Sequence, residues 1–148
     1  MDRGDADLVA SVYHADGTDD HGSFKGLGSD FAVYATSRLP ARYRATQHTI
    51  ANTIIDFVDD ETAHVESHVC ARHLRDDGDD VLAMETFFGR YVDRFERREG
   101  VWKIATRLVV HDWDLAEPVT LAFPRGRFTD GARGPADPSY HHARRGQD

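Results

Sequence analysis

The sequence predicts an α+β domain in which a curled antiparallel sheet and N-terminal helices form a cone-shaped α+β barrel. Three observations lead there: two stretches of helical apolar spacing near the start, four β-branched and aromatic runs from Thr46 onward, and glycine-bearing turns between the later runs. Leu8, Val9, Val12 and Tyr13 recur at helical spacing behind Asp5, whose short acidic side chain suits a helix N-cap, and this helix is expected to end before Gly17. After the glycine-rich stretch Asp20-His21-Gly22-Ser23-Phe24-Lys25-Gly26, Ser29 is placed to cap a second helix. That helix turns Phe31, Tyr34, Ala35 and Leu39 inward and is expected to stop at Pro40.

Strands are expected at 46–58, 62–75, 80–97 and 101–115, where β-branched and aromatic residues concentrate. Asp76-Asp77-Gly78-Asp79 and Arg98-Glu99-Gly100 read as hairpin turns, because glycine supplies the positive φ that tight turns need, so the last three strands should be antiparallel neighbours. Gly89, in the middle of a long third strand, marks a bulge or bend that lets the sheet curl. Helices across the mouth of such a sheet enclose a conical pocket. The domain is expected to span 1–118, with 119–148 as an extended or loosely ordered tail, since the chain after Pro124 is glycine-rich and offers little to a core.

Composition narrows the function classes. With 148 residues the chain suits one domain, and 26 acidic against 18 basic residues give a net charge of −8. Attraction to phosphate is missing, so neither nucleic acid nor an anionic membrane is an expected partner. The single cysteine, Cys70, forms no internal bridge, and no run of about 18 apolar residues is present to span a bilayer. Met1-Asp2-Arg3-Gly4-Asp5 lacks the apolar stretch of a secretory signal, which points to the cytoplasm. His14, His21 and His48 fall at no zinc-ligand spacing, and neither a metal nor a cofactor is expected.

Polar side chains aimed into a cone are costly unless paired, so they are the informative ones. Alternation sets His48, Ile50, Asn52 and Ile54 on one face of the first strand. Arg107 lies among apolar neighbours in Ile104-Ala105-Thr106-Arg107-Leu108-Val109-Val110, where a guanidinium calls for a carboxylate or an anionic ligand. Alternation puts His68 beside Glu66, Cys70 and Arg72 on a polar face.

The stretch from Gly89 to Arg107, with Arg98-Glu99-Gly100 at its turn and Val101-Trp102-Lys103-Ile104 after it, resembles the closing hairpin of the SnoaL-like group in the nuclear transport factor 2-like superfamily. The resemblance extends through Gln47-His48-Thr49-Ile50-Ala51-Asn52 and the Asp20–Gly26 stretch to Asp2-Arg3-Gly4-Asp5. It is most similar to the branch of scytalone dehydratase, a bile-acid dehydratase and hexachlorocyclohexane dehydrochlorinase. That branch implies a catalytic Asp–His pair at Asp2 and His48, an arginine at Arg107, and a further Asp or His at the position of His68. Tyr13, His21, Asn52, His68 and Tyr91 are the candidate substrate-binding residues, with Tyr13 and His21 also candidates for the acid. The group opens with a further long helix ahead of the position of Asp2, so here another element, another subunit or an upstream segment is expected to cover the mouth.

A carboxylate on one imidazole nitrogen fixes the tautomer and leaves the other nitrogen free to remove a proton beside a leaving group. The expected function is a cofactor-independent lyase of dehydratase type acting on a small hydrophobic substrate. A polyketide-cyclase or isomerase type of enzyme uses the same proton abstraction without loss of a group, and a non-catalytic small-molecule-binding or assembly module uses the pocket without turnover. Apolar residues on both faces of the later strands, such as Phe87 with Phe88 and Val109 with Val110, predict a homodimer or higher homo-oligomer through the outer face of the sheet.

Overall fold

The computed structural model describes residues 1–78 and 81–142, which leaves Asp79 of the expected turn, the expected strand start at 80 and the end of the tail outside the described residues. In chain order the elements are α1 (Ala6–Ser11), β1 (Tyr13–Asp20), β2 (Lys25–Leu27), α2 (Gly28–Arg42), β3 (Ala45–Phe57), β4 (Thr62–Asp76), β5 (Leu82–Arg98) and β6 (Val101–Val119). A short turn of 3₁₀ helix (Gly134–Ala136) and α3 (Ser139–His142) follow. The strands form one sheet in the order β2-β1-β6-β5-β4-β3, and the long strands β3 to β6 pair as antiparallel neighbours. The helices pack at one end of this curled, unclosed sheet, with α2 against α1 and β1.

Asp5 caps α1 as expected, its side chain accepting the Leu8 N–H at 2.9 Å. Three expectations for the N-terminal part are corrected. Tyr13 begins a strand instead of ending a helix: β1 runs to Asp20, parallel to β6 and antiparallel to the short β2, so the sheet is mixed where all-antiparallel pairing was expected. The long-range pairing with β6 overrides a sequence of Asp, Gly and His that has little intrinsic β preference. α2 starts at Gly28 with no side-chain cap, so Ser29 lies inside the helix. Pro40 also lies inside it, in the last turn, where the Leu39 carbonyl accepts the Tyr43 N–H at 2.9 Å and carries the helix two residues past the missing donor.

Gly28 is required by close packing: a Cβ there would sit 2.3 Å from the Tyr13 ring. Gly89 is required for the curl. Its strand partner shifts from Trp113 opposite Phe88 to His111 opposite Gly89, so Asp112 is the extra residue of a bulge in β6. A Cβ at Gly89 would lie 2.2 Å from the Val110 carbonyl oxygen.

Pairing sorts the side chains by face. Ser67, Val69, Ala71 and His73 of β4, Phe87, Tyr91 and Asp93 of β5, and Arg107 and Val109 of β6 share the concave face with His48 of β3. Val69, Ala71 and Tyr91 form the core of that face, with Phe87 and Val109 packed on it. A register break after Ala51 puts Ile54 opposite Glu66, on the convex face. Ile54 therefore does not share a face with His48, because the break reverses the alternation.

Beyond β6, the Gly134 N–H donates to the Arg3 carbonyl at 2.6 Å, Arg133 donates to the Tyr43 carbonyl, and the Tyr140 hydroxyl donates to Asp5. This segment thus lies against Arg3 and Asp5, just after Asp2. Among the described residues, no helix is long and apolar enough to cross a membrane.

Candidate active site

The cavity on the concave face has two lobes of about 520 and 570 Å³ that share His21, Arg42, Tyr43, His48 and His73. Phe87, Tyr91 and Val109 also line the first lobe, together with Glu85, His111 and Asp114, and Phe31, Tyr34 and Leu39 of α2 line the second.

His48 is fixed from below by Asp2. The ring Nδ1 donates to Asp2 Oδ1 at 2.6 Å, and the backbone N–H of His48 donates to Asp2 Oδ2 at 2.9 Å. Thr46 adds a bond from its hydroxyl to Oδ1 at 2.9 Å. Burial works to raise the Asp2 carboxyl pKa, but these bonds from His48 and Thr46, with the His48 charge, outweigh it and hold the group well below the usual carboxylate range. An ionised Asp2 only accepts, so Nδ1 carries the proton and Nε2 is the free nitrogen of the His48 ring.

A second histidine, His73, packs edge-on against His48 with ring centroids 5.4 Å apart and stacks on Tyr43 at 4.7 Å. Its Nε2 is buried with no hydrogen-bond partner among the described residues. Burial, reinforced by the neighbouring His48 charge, pushes its pKa down to about 4, so the ring is neutral near pH 7. Sequence reasoning named His68 on this strand, yet His73 shares the inward alternation of Val69 and Ala71, and that parity was the available signal. His68 is exposed on the convex face opposite Ala51 and Arg90, and the structure does not bring it to the cavity. Asn52 is exposed at the β3 register break with φ 48°, also away from His48.

Arg107 lies on the concave face, and its Nε and Nη2 donate to the two oxygens of buried Asp93 at 2.8 and 2.6 Å. Burial would lower the guanidinium pKa, but Asp93 more than offsets it and the charge is retained. Asp93 was not anticipated, although it alternates with Tyr91 and Phe95 directly opposite Arg107. The guanidinium stacks on the Tyr91 ring, 4.1 Å from its centre. Arg107 lines a separate apolar cavity of about 460 Å³ with Ile50, Ile55, Phe57, Phe95 and Trp102, and Tyr91 is the wall between it and the His48 cavity. Burial raises the Tyr91 hydroxyl to about 12, which keeps it a donor.

On the other wall, Tyr13 and His21 converge on Asp19, which is 1% exposed. The Tyr13 hydroxyl donates to Asp19 Oδ2 and His21 Nδ1 to Oδ1, each at 2.5 Å. Burial, reinforced by Asp19, raises the Tyr13 hydroxyl far above the ordinary phenol range. Among the described residues no group of three or more His, Cys, Asp or Glu side chains is placed to hold a metal ion.

A curled sheet around a pocket, with helices across one end, is the cone-shaped architecture of the nuclear transport factor 2-like fold. The family model described as a SnoaL-like domain matches residues 1–108, and the chain belongs to that family. A candidate scytalone dehydratase from Novosphingobium aromaticivorans is similar in structure, with 26% identity, a TM-score of 0.65, and coverage of 86% of this chain and 84% of that one. A type 2 hexachlorocyclohexane dehydrochlorinase has 20% identity and a TM-score of 0.72, with 84% of each chain covered. The type 3 enzyme from Novosphingobium barchaimii has 19% identity and a TM-score of 0.67, covering 80% of this chain and 79% of that one. A comparison with curated protein sequences gave no match.

Proposed function

We propose that the chain is a cofactor-independent lyase of dehydratase type that uses His48, held by Asp2, to remove a proton from a small hydrophobic substrate. The observation that carries this reading is the pair of bonds from one residue to one carboxylate: ring Nδ1 and backbone N–H of His48 both end on Asp2, leaving Nε2 at the cavity wall. The family and the dehydratase and dehydrochlorinase neighbours support the reaction class.

In the proposed reaction the substrate lies in the two-lobed cavity with an acidic C–H against His48 Nε2. Negative charge develops on a neighbouring carbonyl oxygen as the proton leaves, and the Tyr91 hydroxyl is the donor that meets it. Arg107 stacks its charge on the Tyr91 ring, which favours the developing phenolate-like character of a strong donor, while Asp93 holds the guanidinium in place. Asp2 stabilises the His48 imidazolium until the proton is passed on.

The convex face is the proposed contact between two copies of the chain. Trp113, 52% exposed, stacks on Phe88 at 3.9 Å, and further along the same strands Leu108 and Val92 are a second exposed apolar pair. Two apolar pairs on one sheet face, with the Arg90 ion pairs to Glu66 and Asp112 between them, fit a contact of mixed character.

A panel of small aromatic and alicyclic β-hydroxy ketones, assayed for binding by thermal shift and for alkene formation by absorbance, tests the reading. The native chain should bind and convert at least one compound, and His48→Gln should bind it without converting it. Binding without conversion by the native chain favours a binding module, and full conversion by His48→Gln overturns the assigned base.

A further inference from the structure

We propose that His21, held by Asp19 and Tyr13, is the proton donor to the leaving group, which deepens the elimination reading above and rests on it. Loss of hydroxide from carbon is difficult unless the oxygen is protonated as the bond breaks, and His48 cannot supply that proton while it is removing another. In a concerted elimination the acid is therefore a second group in the same cavity. His21, on the loop between β1 and β2, lines both lobes with His48, as do Arg42, Tyr43 and His73, and of these it is the histidine held by a buried carboxylate.

Its construction parallels that of His48. Nδ1 donates to a carboxylate, here Asp19 Oδ1, so Nε2 is the nitrogen that can exchange a proton with a ligand. The ring is stacked flat on Phe31, with centroids 4.1 Å apart and planes 18° apart, and Tyr91 is tilted to it with centroids 6.0 Å apart. The Phe31 stack and the Asp19 bond together fix the ring plane. The side chain is still 22% exposed, open to the cavity and to solvent for reprotonation.

Asp19 is an expensive residue to bury. Its side chain is fully covered, and a carboxylate in that position is stable only when each oxygen has a donor. Tyr13 satisfies one oxygen and is itself seated against Gly28, where no Cβ fits. The second oxygen is left to His21. A purely structural site could use a neutral amide in place of Asp19, whereas a carboxylate stabilises an imidazolium during turnover.

The step balances without a co-reactant. His48 Nε2 takes the proton from carbon, the C–H electron pair becomes the new double bond, and the C–O bond breaks. The leaving oxygen takes the proton from His21 Nε2 and departs as water. His48 ends protonated and His21 neutral, and solvent returns both to their starting states.

A leaving group that needs no proton separates this role from that of His48. The probes are a β-hydroxy ketone and the β-chloro ketone of the same skeleton, both of which eliminate to benzylideneacetone. His21→Gln is expected to lower the ratio of hydroxide to chloride elimination about a hundredfold, in the range for loss of a positioned acid. His48→Gln is expected to slow both reactions together. An unchanged ratio in His21→Gln, whether both rates persist or both fall, overturns the donor role. If the native chain eliminates neither group, the elimination reading itself fails and the role of His21 falls with it.

Discussion

Asp2 grips His48 at two points, Oδ2 accepting its backbone N–H at 2.9 Å and Oδ1 its ring Nδ1 at 2.6 Å. A single carboxylate therefore fixes both the strand edge and the imidazole that projects from it. Two bonds to one residue leave the ring little rotational freedom, so the Nε2 lone pair points in one direction before any ligand arrives. This preorganisation is what proton transfer at carbon needs, because a misaimed base loses much of its effect.

Replacing the clamp should cost less than replacing the base. Asp2→Asn keeps an acceptor for the backbone N–H but removes the charge that stabilises an imidazolium, and turnover should fall by a smaller factor than in His48→Gln, with little change in substrate affinity. A steady-state comparison with separate kcat and KM checks this. A change confined to KM contradicts it.

His73 should make stability acid-sensitive. Its folded pKa of about 4 lies below the ordinary 6.5, so between these values the unfolded chain binds a proton that the folded chain does not. Stability should fall as pH drops from about 6.5 to 4 and level off below that, by up to about 3 kcal/mol from this group. Denaturant unfolding at a series of pH values, on the native chain and on His73→Phe, isolates the contribution: the variant should lose that slope.

Gly89→Ala should be severely destabilising. The added Cβ meets the backbone oxygen of Val110 at 2.2 Å, an atom that cannot rotate away, and the Phe87 ring at 2.6 Å. Overpacking of this kind costs about 1–3 kcal/mol or more, read as a lowered melting temperature or unfolding midpoint.

The C-terminal segment should order the stretch that carries Asp2. Gly134 and Tyr140 hold Arg3 and Asp5 on either side of Gly4, one residue from the clamp. Deleting residues after Thr120 should speed amide hydrogen exchange over residues 2–5 and spare β4 and β5. Unchanged exchange at the N-terminus counts against the clasp.

The proposed dimer face is tested at Trp113. Sedimentation of the native chain at micromolar concentration should give twice 16.6 kDa, and Trp113→Asp should shift it towards the single-chain mass. A native chain that sediments as a monomer refutes the interface.

Much of the sheet was legible because its signals are local. β3 to β6 carry the β-branched and aromatic runs, and Gly78 and Gly100 mark hairpins by composition, so the antiparallel sense of β4, β5 and β6 follows from neighbouring residues. β1 was not legible: Tyr13–Asp20 has the composition of a loop, and it becomes a strand only through pairing with β6 about 90 residues later in the chain. The same distinction runs through the cavity. Asp2 and His48 stood out by resemblance, whereas Asp19 and Asp93 are acceptors whose partners are set by register, a long-range property. His73 is legible from nearer signals, since the apolar parity of Val69 and Ala71 already aims it inward, opposite to the polar face of β4 that carries His68.

The most direct test of the proposed base is the exchange of the acidic C–H itself, which does not depend on what leaves afterwards. The α-protons of the β-hydroxy ketone that yields benzylideneacetone can be followed by NMR in D₂O with the native chain and with His48→Gln. The native chain should accelerate deuterium incorporation at one carbon, and His48→Gln should reduce that acceleration about 10²–10⁴-fold while still binding the ketone. Exchange at the native rate in His48→Gln, or no acceleration by the native chain, contradicts the assignment of His48 as the base.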